Sequence, residues 1–184
     1  MPFVLREYDP ADFDTLWRID QACFTPEIAY SRKELKIYTL RRGAFTLVAA
    51  EKPAAGPGRA NSGESKLETR SSGKTTTDSR SDGSSIAGFI VAEVGPRGVG
   101  HIITIDVVAA ARRSGVGSLL LSSAEDRLRL SGCHAVELET AVDNISALSF
   151  YKRHGYHVVR TFPRYYSNGV DALVLVKELK PVQL

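Results

Sequence analysis

Ile105-Asp106-Val107-Val108-Ala109-Ala110-Ala111-Arg112-Arg113-Ser114-Gly115-Val116-Gly117-Ser118-Leu119-Leu120 reads as strand, turn and helix. Ile102 to Val108 is a β-branched run that only Asp106 interrupts, which suits a strand. After the turn, Val116, Leu120, Ala124 and Leu128 recur at helical spacing. Between the two lies Arg-x-x-Gly-x-Gly, at Arg112, Gly115 and Gly117. A turn that delivers a helix N-terminus beside a strand end gathers unpaired N–H groups and the positive end of the helix dipole, which bind phosphate oxygens. Glycines keep side chains out of that approach, and Arg112 and Arg113 can add charge-assisted bonds. The expected ligand is a pyrophosphate, held by Arg112, Arg113, Ser114, Gly115, Val116, Gly117 and Ser118, below Ile105 and Val107. The plainer alternative is a flexible turn flanked by a solvated basic patch.

Two other glycine-rich readings fail on spacing. A dinucleotide fingerprint needs a third glycine where Leu120 stands, and a P-loop needs lysine after its last glycine, where Ser118 stands. The stretch resembles motif A of the GNAT acetyltransferase superfamily, in which the turn holds the pyrophosphate of acetyl-CoA. Ala109 departs from the proline often found there.

The remaining elements are expected in this order. Phe3 to Arg6 is an edge strand, and Asp9-Pro10 starts a helix with Phe13, Leu16, Trp17 and Phe24 on its apolar side. Ser31-x-x-Glu34 is a capping box that opens a second helix. Strands at 44–50 and 86–92 pair as antiparallel neighbours. From Pro53 to Ser85 the only large aliphatic is Leu67 among eight serines, so this stretch reads as a disordered insertion within a single domain spanning 1–184. A hairpin near Gly95 to Gly98 leads into the motif A strand. A strand at 135–140, a helix begun by Asp143-Asn144 and ended by Gly155, and two last strands at 156–161 and 172–177 complete the chain. The class is mixed α/β, with helices covering a mostly antiparallel sheet. The GNAT fold has this order.

Leu138-Glu139, Asp143-Asn144, Phe150-Tyr151, Arg164-Tyr165-Tyr166 and Gly169-Val170-Asp171-Ala172 resemble the pattern of the RimI-type N-terminal alanine acetyltransferases. Val170 stands where that family usually has glutamate. The resemblance implies an acetyl-CoA-dependent N-acetyltransferase whose acceptor is a protein or peptide N-terminus. It makes Tyr151 a general acid beside the sulfur, Glu139 a group that orients or activates the amine, and Asn144 a contact to the pantetheine or acceptor. Pro26, Glu27, Ile28 and Tyr30 would line the acceptor with Tyr165 and Tyr166, and the N–H of Val107 would polarise the thioester. From the residues alone, Tyr151 can equally pack under the sheet and Glu139 can equally be a solvated-face carboxylate. Lysine or small-amine acetylation and a non-catalytic acetyl-CoA-binding module are the alternative functions.

Composition narrows the field. A formal charge of +3, with 24 basic residues against 21 acidic ones and no basic run, gives no reason to expect nucleic acid binding. Cys23 and Cys133 lack metal-ligand spacing and are too few for a disulfide framework, which favours reduced thiols and the cytoplasm. No metal site is expected, since His154 and His157 straddle the helix-ending Gly155. No apolar run approaches the ~20 residues of a membrane span.

Overall fold

The computed structural model describes residues 2–51 and 85–180. The insertion expected at 53–85 lies, apart from Ser85, outside the described residues. Strand β1 (Phe3–Glu7) leads through a single 3-10 turn to α1 (Phe13–Cys23) and α2 (Arg32–Leu40). Strands β2 (Ala44–Glu51), β3 (Ile86–Val94) and β4 (Val99–Val107) precede α3 (Val116–Leu130). Strand β5 (Ala135–Ala141), α4 (Ile145–Arg153), β6 (His157–Phe162) and β7 (Ala172–Glu178) complete the order. The seven strands form one sheet in the order β1-β2-β3-β4-β5-β7-β6. Every pairing is antiparallel except β4 with β5.

Local chemistry accounts for the helix ends. Asp9 caps the first turn, and Ser31 and Glu34 bond each other's backbone N–H groups in the expected capping box. Asn144 caps α4 by accepting from Ala147 N–H at 3.1 Å. Apolar stripes then sort the helices between the two faces. Leu16, Ile19 and Leu35 of α1 and α2 pack with Val48, Phe89 and Val91 on one face. Val116, Leu120, Ala124 and Leu128 of α3 pack with Ile90, Ile102, Val136 and Leu138 on the other. Tyr151 and Tyr156 join this second core.

Two features of β4 decide where its polar groups face. The first is its short parallel pairing, in which only Val99, Gly100 and His101 match Ala135, Val136 and Glu137 of β5. Beyond them the strands part. The second is a bulge, because Val91 pairs with Thr104 while Ala92 pairs with Ile102, leaving Ile103 extra. Strict alternation from Ile102 would send Thr104 and Asp106 toward α3. The extra residue reverses this, so Ile105 and Val107 pack with the α3 core while Thr104 and Asp106 are buried on the α1 side.

Strand β3 approaches the end of β4 closely at Gly88. A Cβ there would lie 2.5 Å from the Asp106 carbonyl oxygen and 3.2 Å from the Val107 Cα. Gly88→Ala should therefore cost about 1–3 kcal/mol, the range for overpacking a filled core. Thermal denaturation measures this, and an unchanged Tm would show that the strands separate without cost.

Candidate active site

The gap between β4 and β5 is bordered by groups from six segments. On β4, Val108 N–H donates to Ala87 O at 2.9 Å, so by strand alternation the N–H of Val107 points away from β3 and toward the gap. The Val107 carbonyl is occupied: Arg112 Nε donates to it at 3.1 Å, and the Cys23 thiol approaches it at 3.5 Å. Arg112 thus turns its guanidinium back onto the strand end. Cys23 is half-buried, whereas Cys133 is buried.

The turn has the properties of an anion cradle. Gly115 sits at φ +93°, a conformation natural to glycine, and the first helical bond runs from Leu119 N–H to Gly115 O at 2.9 Å. The N–H groups of Val116, Gly117 and Ser118 therefore have no helical acceptor. Arg113 is exposed with φ +61°, and the Ser114 hydroxyl donates to Ala111 O. A Cβ on Gly117 would meet the Phe150 ring of α4 at 3.4 Å. His154 ties the same helices together, with Nδ1 2.8 Å from Phe150 O and Nε2 2.9 Å from the Ser118 hydroxyl. Nδ1 faces a carbonyl and so carries a proton, while Nε2 and the Ser118 hydroxyl share a hydrogen bond. The Ser118 side chain is committed to α4, while its N–H is free for the cradle.

Tyr151 is 6% exposed in the α3-side core, in edge contact with Phe150 and Tyr156. Burial, with smaller contributions from Asp106 and Tyr166, raises its hydroxyl far above the usual tyrosine range. The group is neutral at any working pH.

Glu139 is half-buried on β5, and its Oε2 lies 2.7 Å from Nε2 of His101 on β4. Sequence reasoning had not singled out His101. The signal for it is a register: His101 opposes Glu137, which brings Glu139 within reach on the same face. Burial pulls the His101 pKa down, but the hydrogen bond and charge of Glu139, then Glu93 and Glu137, outweigh it and leave a net rise.

The proposed acceptor walls meet above this pair. The Tyr30 hydroxyl donates to Ile103 O at 3.2 Å, and its ring contacts Tyr38 edge-on. Tyr166 packs edge-on against Tyr165, which is 53% exposed and stacks on Phe162. Both Tyr165 and Tyr166 sense the charge of Glu139, and burial pushes Tyr166 up to about 12. Pro26 and Glu27 are exposed and Ile28 is half-buried. The Ser167 hydroxyl donates to Glu27 O at 3.0 Å, so the β6–β7 loop is joined to the α1–α2 loop across the gap.

Among the described residues no cluster of three or more metal-ligating side chains occurs, and no helix is long and apolar enough to cross a membrane.

A profile of the acetyltransferase (GNAT) family matches residues 35–156, and the chain belongs to that family. It is 34% identical over 94 residues to an uncharacterised N-acetyltransferase of Methanocaldococcus jannaschii, covering 50% of this chain and 60% of that protein. It is 37% identical over 73 residues to N-alpha-acetyltransferase 30 of Schizosaccharomyces pombe, covering 40% of this chain and 49% of that one. The chain thus spans about half the length of these curated relatives. Among solved structures, Ard1 from Thermoplasma volcanium superposes with a TM-score of 0.74 at 24% identity, covering 98% of this chain and 99% of that one. The ribosomal-protein-S18-alanine N-acetyltransferase from Escherichia coli gives a TM-score of 0.69 at 16% identity, covering 99% and 98%. The NatC complex bound to Gag peptide and CoA gives 0.72 at 22%, covering 98% of this chain and 100% of that one. At these identities the likeness is one of fold.

The His101–Glu139 contact carries a pH signature. A histidine whose folded-state pKa is raised contributes stability that is complete below its unfolded value of about 6.5 and is lost as pH rises through the folded value. His101→Gln should lower the Tm more near pH 6 than near pH 9 in thermal denaturation. An equal loss at both would show that the pair is not ionised in the folded protein.

Proposed function

We propose that the chain is an acetyl-CoA-dependent N-acetyltransferase acting on the α-amine of a protein or peptide N-terminus. The observation that carries this reading is the arrangement of the gap, with an inward N–H at Val107 on one strand and the Glu139–His101 pair bridging to the other. The α3 turn fits a pyrophosphate because the N–H groups of Val116, Gly117 and Ser118 are left without a helical acceptor at the helix N-terminus. Names of relatives that include N-alpha-acetyltransferases, and a solved fold neighbour bound to peptide and CoA, support the same class. On this reading Arg112 acts by holding the Val107 carbonyl, and Asn144 gives its oxygen to the helix cap and keeps its N–H groups for a ligand.

The chemistry is a direct transfer. An amine nitrogen attacks the thioester carbonyl and forms the C–N bond, while the Val107 N–H stabilises the oxyanion. The amine's proton passes to Glu139 with His101, directly or through water. The C–S bond then breaks as the intermediate collapses. Tyr151 faces the leaving sulfur, but its raised pKa makes full proton transfer to a thiolate of pKa about 8.5 uphill. Its hydroxyl therefore serves as a charge-assisted hydrogen-bond donor, a narrower role than general acid.

Proton energetics favour an α-amine over lysine. Neutralising the amine near pH 7.4 costs roughly 0.8 kcal/mol for a pKa of about 8 and roughly 4 kcal/mol for one of about 10.4. A carboxylate–imidazole pair meets the first demand readily. The tyrosines and the joined loops would bracket an extended N-terminus.

Mass spectrometry of a peptide panel incubated with acetyl-CoA tests this. Peptides with a free, small N-terminal residue should be acetylated, and N-terminally blocked lysine peptides should react far more slowly. Faster reaction of the blocked lysine peptides overturns the α-amine assignment in favour of a lysine acetyltransferase. Tyr151→Phe should lower kcat strongly with little change in acetyl-CoA affinity. Separately, Gly117→Trp should abolish acetyl-CoA binding in calorimetry, and unchanged affinity in a folded variant would remove the cradle from the site.

A further inference from the structure

A row of cross-strand partners runs over four strands of the sheet. Ala44 of β2 pairs with Glu93 of β3, Glu93 with His101 of β4, and His101 with Glu137 of β5. Ala92 and Ile102 belong to the core on the α3 side, so by alternation Glu93 and His101 project from the opposite face, under α1 and α2. The turn before β2 brings a cation to this row. Ala44 N–H donates to Arg41 O at 3.0 Å, which sets Arg41, at the end of α2, beside Glu93. Arg41 Nη1 donates to Glu93 Oε1 at 3.1 Å and to Oε2 at 3.3 Å. The Tyr38 ring, one turn earlier on α2, supports the guanidinium at 4.9 Å.

His101 stands between two carboxylates at unequal distances. Its Nε2 lies 2.7 Å from Glu139 Oε2, and since a carboxylate only accepts, Nε2 carries the proton of that bond. Nδ1 is the ring nitrogen left to take a further proton. It lies 3.8 Å from Glu93 Oε1, beyond hydrogen-bond reach. With Glu93 closed on Nδ1, charge-assisted bonds at both nitrogens would fix the ring as an imidazolium, which accepts no further proton. We propose that Arg41 is a positioning residue for the base of the transfer reaction: by engaging both oxygens of Glu93 it holds that carboxylate off Nδ1 and leaves His101 free to take up a proton beside Glu139. The charged groups around the ring are Glu139 and Glu137 on β5, Glu93 on β3 and, through Glu93, Arg41 on α2. Tyr165 and Tyr166, between β6 and β7, sense the charge of Glu139. Burial pulls the His101 pKa down and the three glutamates outweigh it, so the restraint on Glu93 acts on a ring already drawn toward its charged form.

The kinetic consequence rests on the proposed acetyltransferase reading, whereas the restraint on Glu93 does not. NMR titration of the His101 ring reads the restraint directly. Arg41→Ala should move the His101 midpoint up by about half a pH unit, less than the shift from a directly adjacent charge because the Arg41 side chain is 45% exposed. Glu93→Gln should move it down. Because Arg41 acts through Glu93, adding Arg41→Ala in the Glu93→Gln background should change the midpoint little. Arg41→Lys, which keeps the charge but not the planar fork, should fall between wild type and Arg41→Ala. In peptide acetylation, kcat/KM of Arg41→Ala relative to wild type should fall about threefold below the midpoint, the fold-change of half a pH unit, and return toward one at high pH. Comparing the two proteins at each pH cancels the titration of the acceptor amine. A ratio that does not vary with pH overturns the positioning role. An unchanged or lowered His101 midpoint in Arg41→Ala overturns the proposal, as does a rise that persists in full in the Glu93→Gln background. If Arg41→Ala does not fold, the titrations of Glu93→Gln and Arg41→Lys decide, and midpoints equal to wild type in both overturn it. The expected midpoints without acetylation of any peptide would fault the functional reading alone.

Discussion

The parallel pairing of β4 with β5 lasts for three residues on each strand, and the structure turns on its brevity. A ladder that continued would bury the N–H of Val107 in a sheet hydrogen bond and close the space beside Glu139. Because pairing stops at His101 and Glu137, backbone groups of both strands face an opening. The sheet tolerates this because each half is held elsewhere. Strands β1 to β4 form one antiparallel set and β5, β7 and β6 another, with α3 and its core bridging the two. Sealing the opening would require only continued register.

The groups around the opening divide by function in a way that burial explains. His101 and Glu139 are only half-buried, so solvent can reach the pair, and their mutual bond keeps a proton close to the carboxylate. Tyr151 is deep in the core and stays neutral. Asp20 and Asp106 are deeper than Glu139 and bear no cationic partner of their own. Depth thus raises the two aspartic acids, while neighbouring carboxylates raise His101.

Much of the architecture follows from patterns that local sequence records. The α3 stripe, the Ser31–Glu34 box, the Asn144 cap and the strand runs depend on residues a few positions apart, and each occurs where periodicity or cap chemistry put it. The site is less legible because it is built from register. Nothing local marks Ile103 as the extra residue of a bulge, yet that residue decides whether Asp106 faces α3 or α1. The same holds for His101, whose partner lies 38 residues away on a strand joined by a parallel crossover. Arg112 was legible as a basic residue at the turn but not as a brace, since its acceptor is a backbone carbonyl that no side-chain pattern reveals.

The contact of Phe150 with Gly117 has a consequence for how the parts keep their spacing. Phe150 rests on the first turn of α3, and the next residue along α4 is Tyr151. One helical residue step of ~1.5 Å rise therefore separates the ring that touches the first turn of α3 from the buried phenol of Tyr151. With His154 clasping Ser118 from the following turn, α4 works as a caliper whose jaws are set by covalent geometry. A shift of the first turn of α3 would therefore carry Phe150, Tyr151 and His154 together, because all three belong to one helix and its cap.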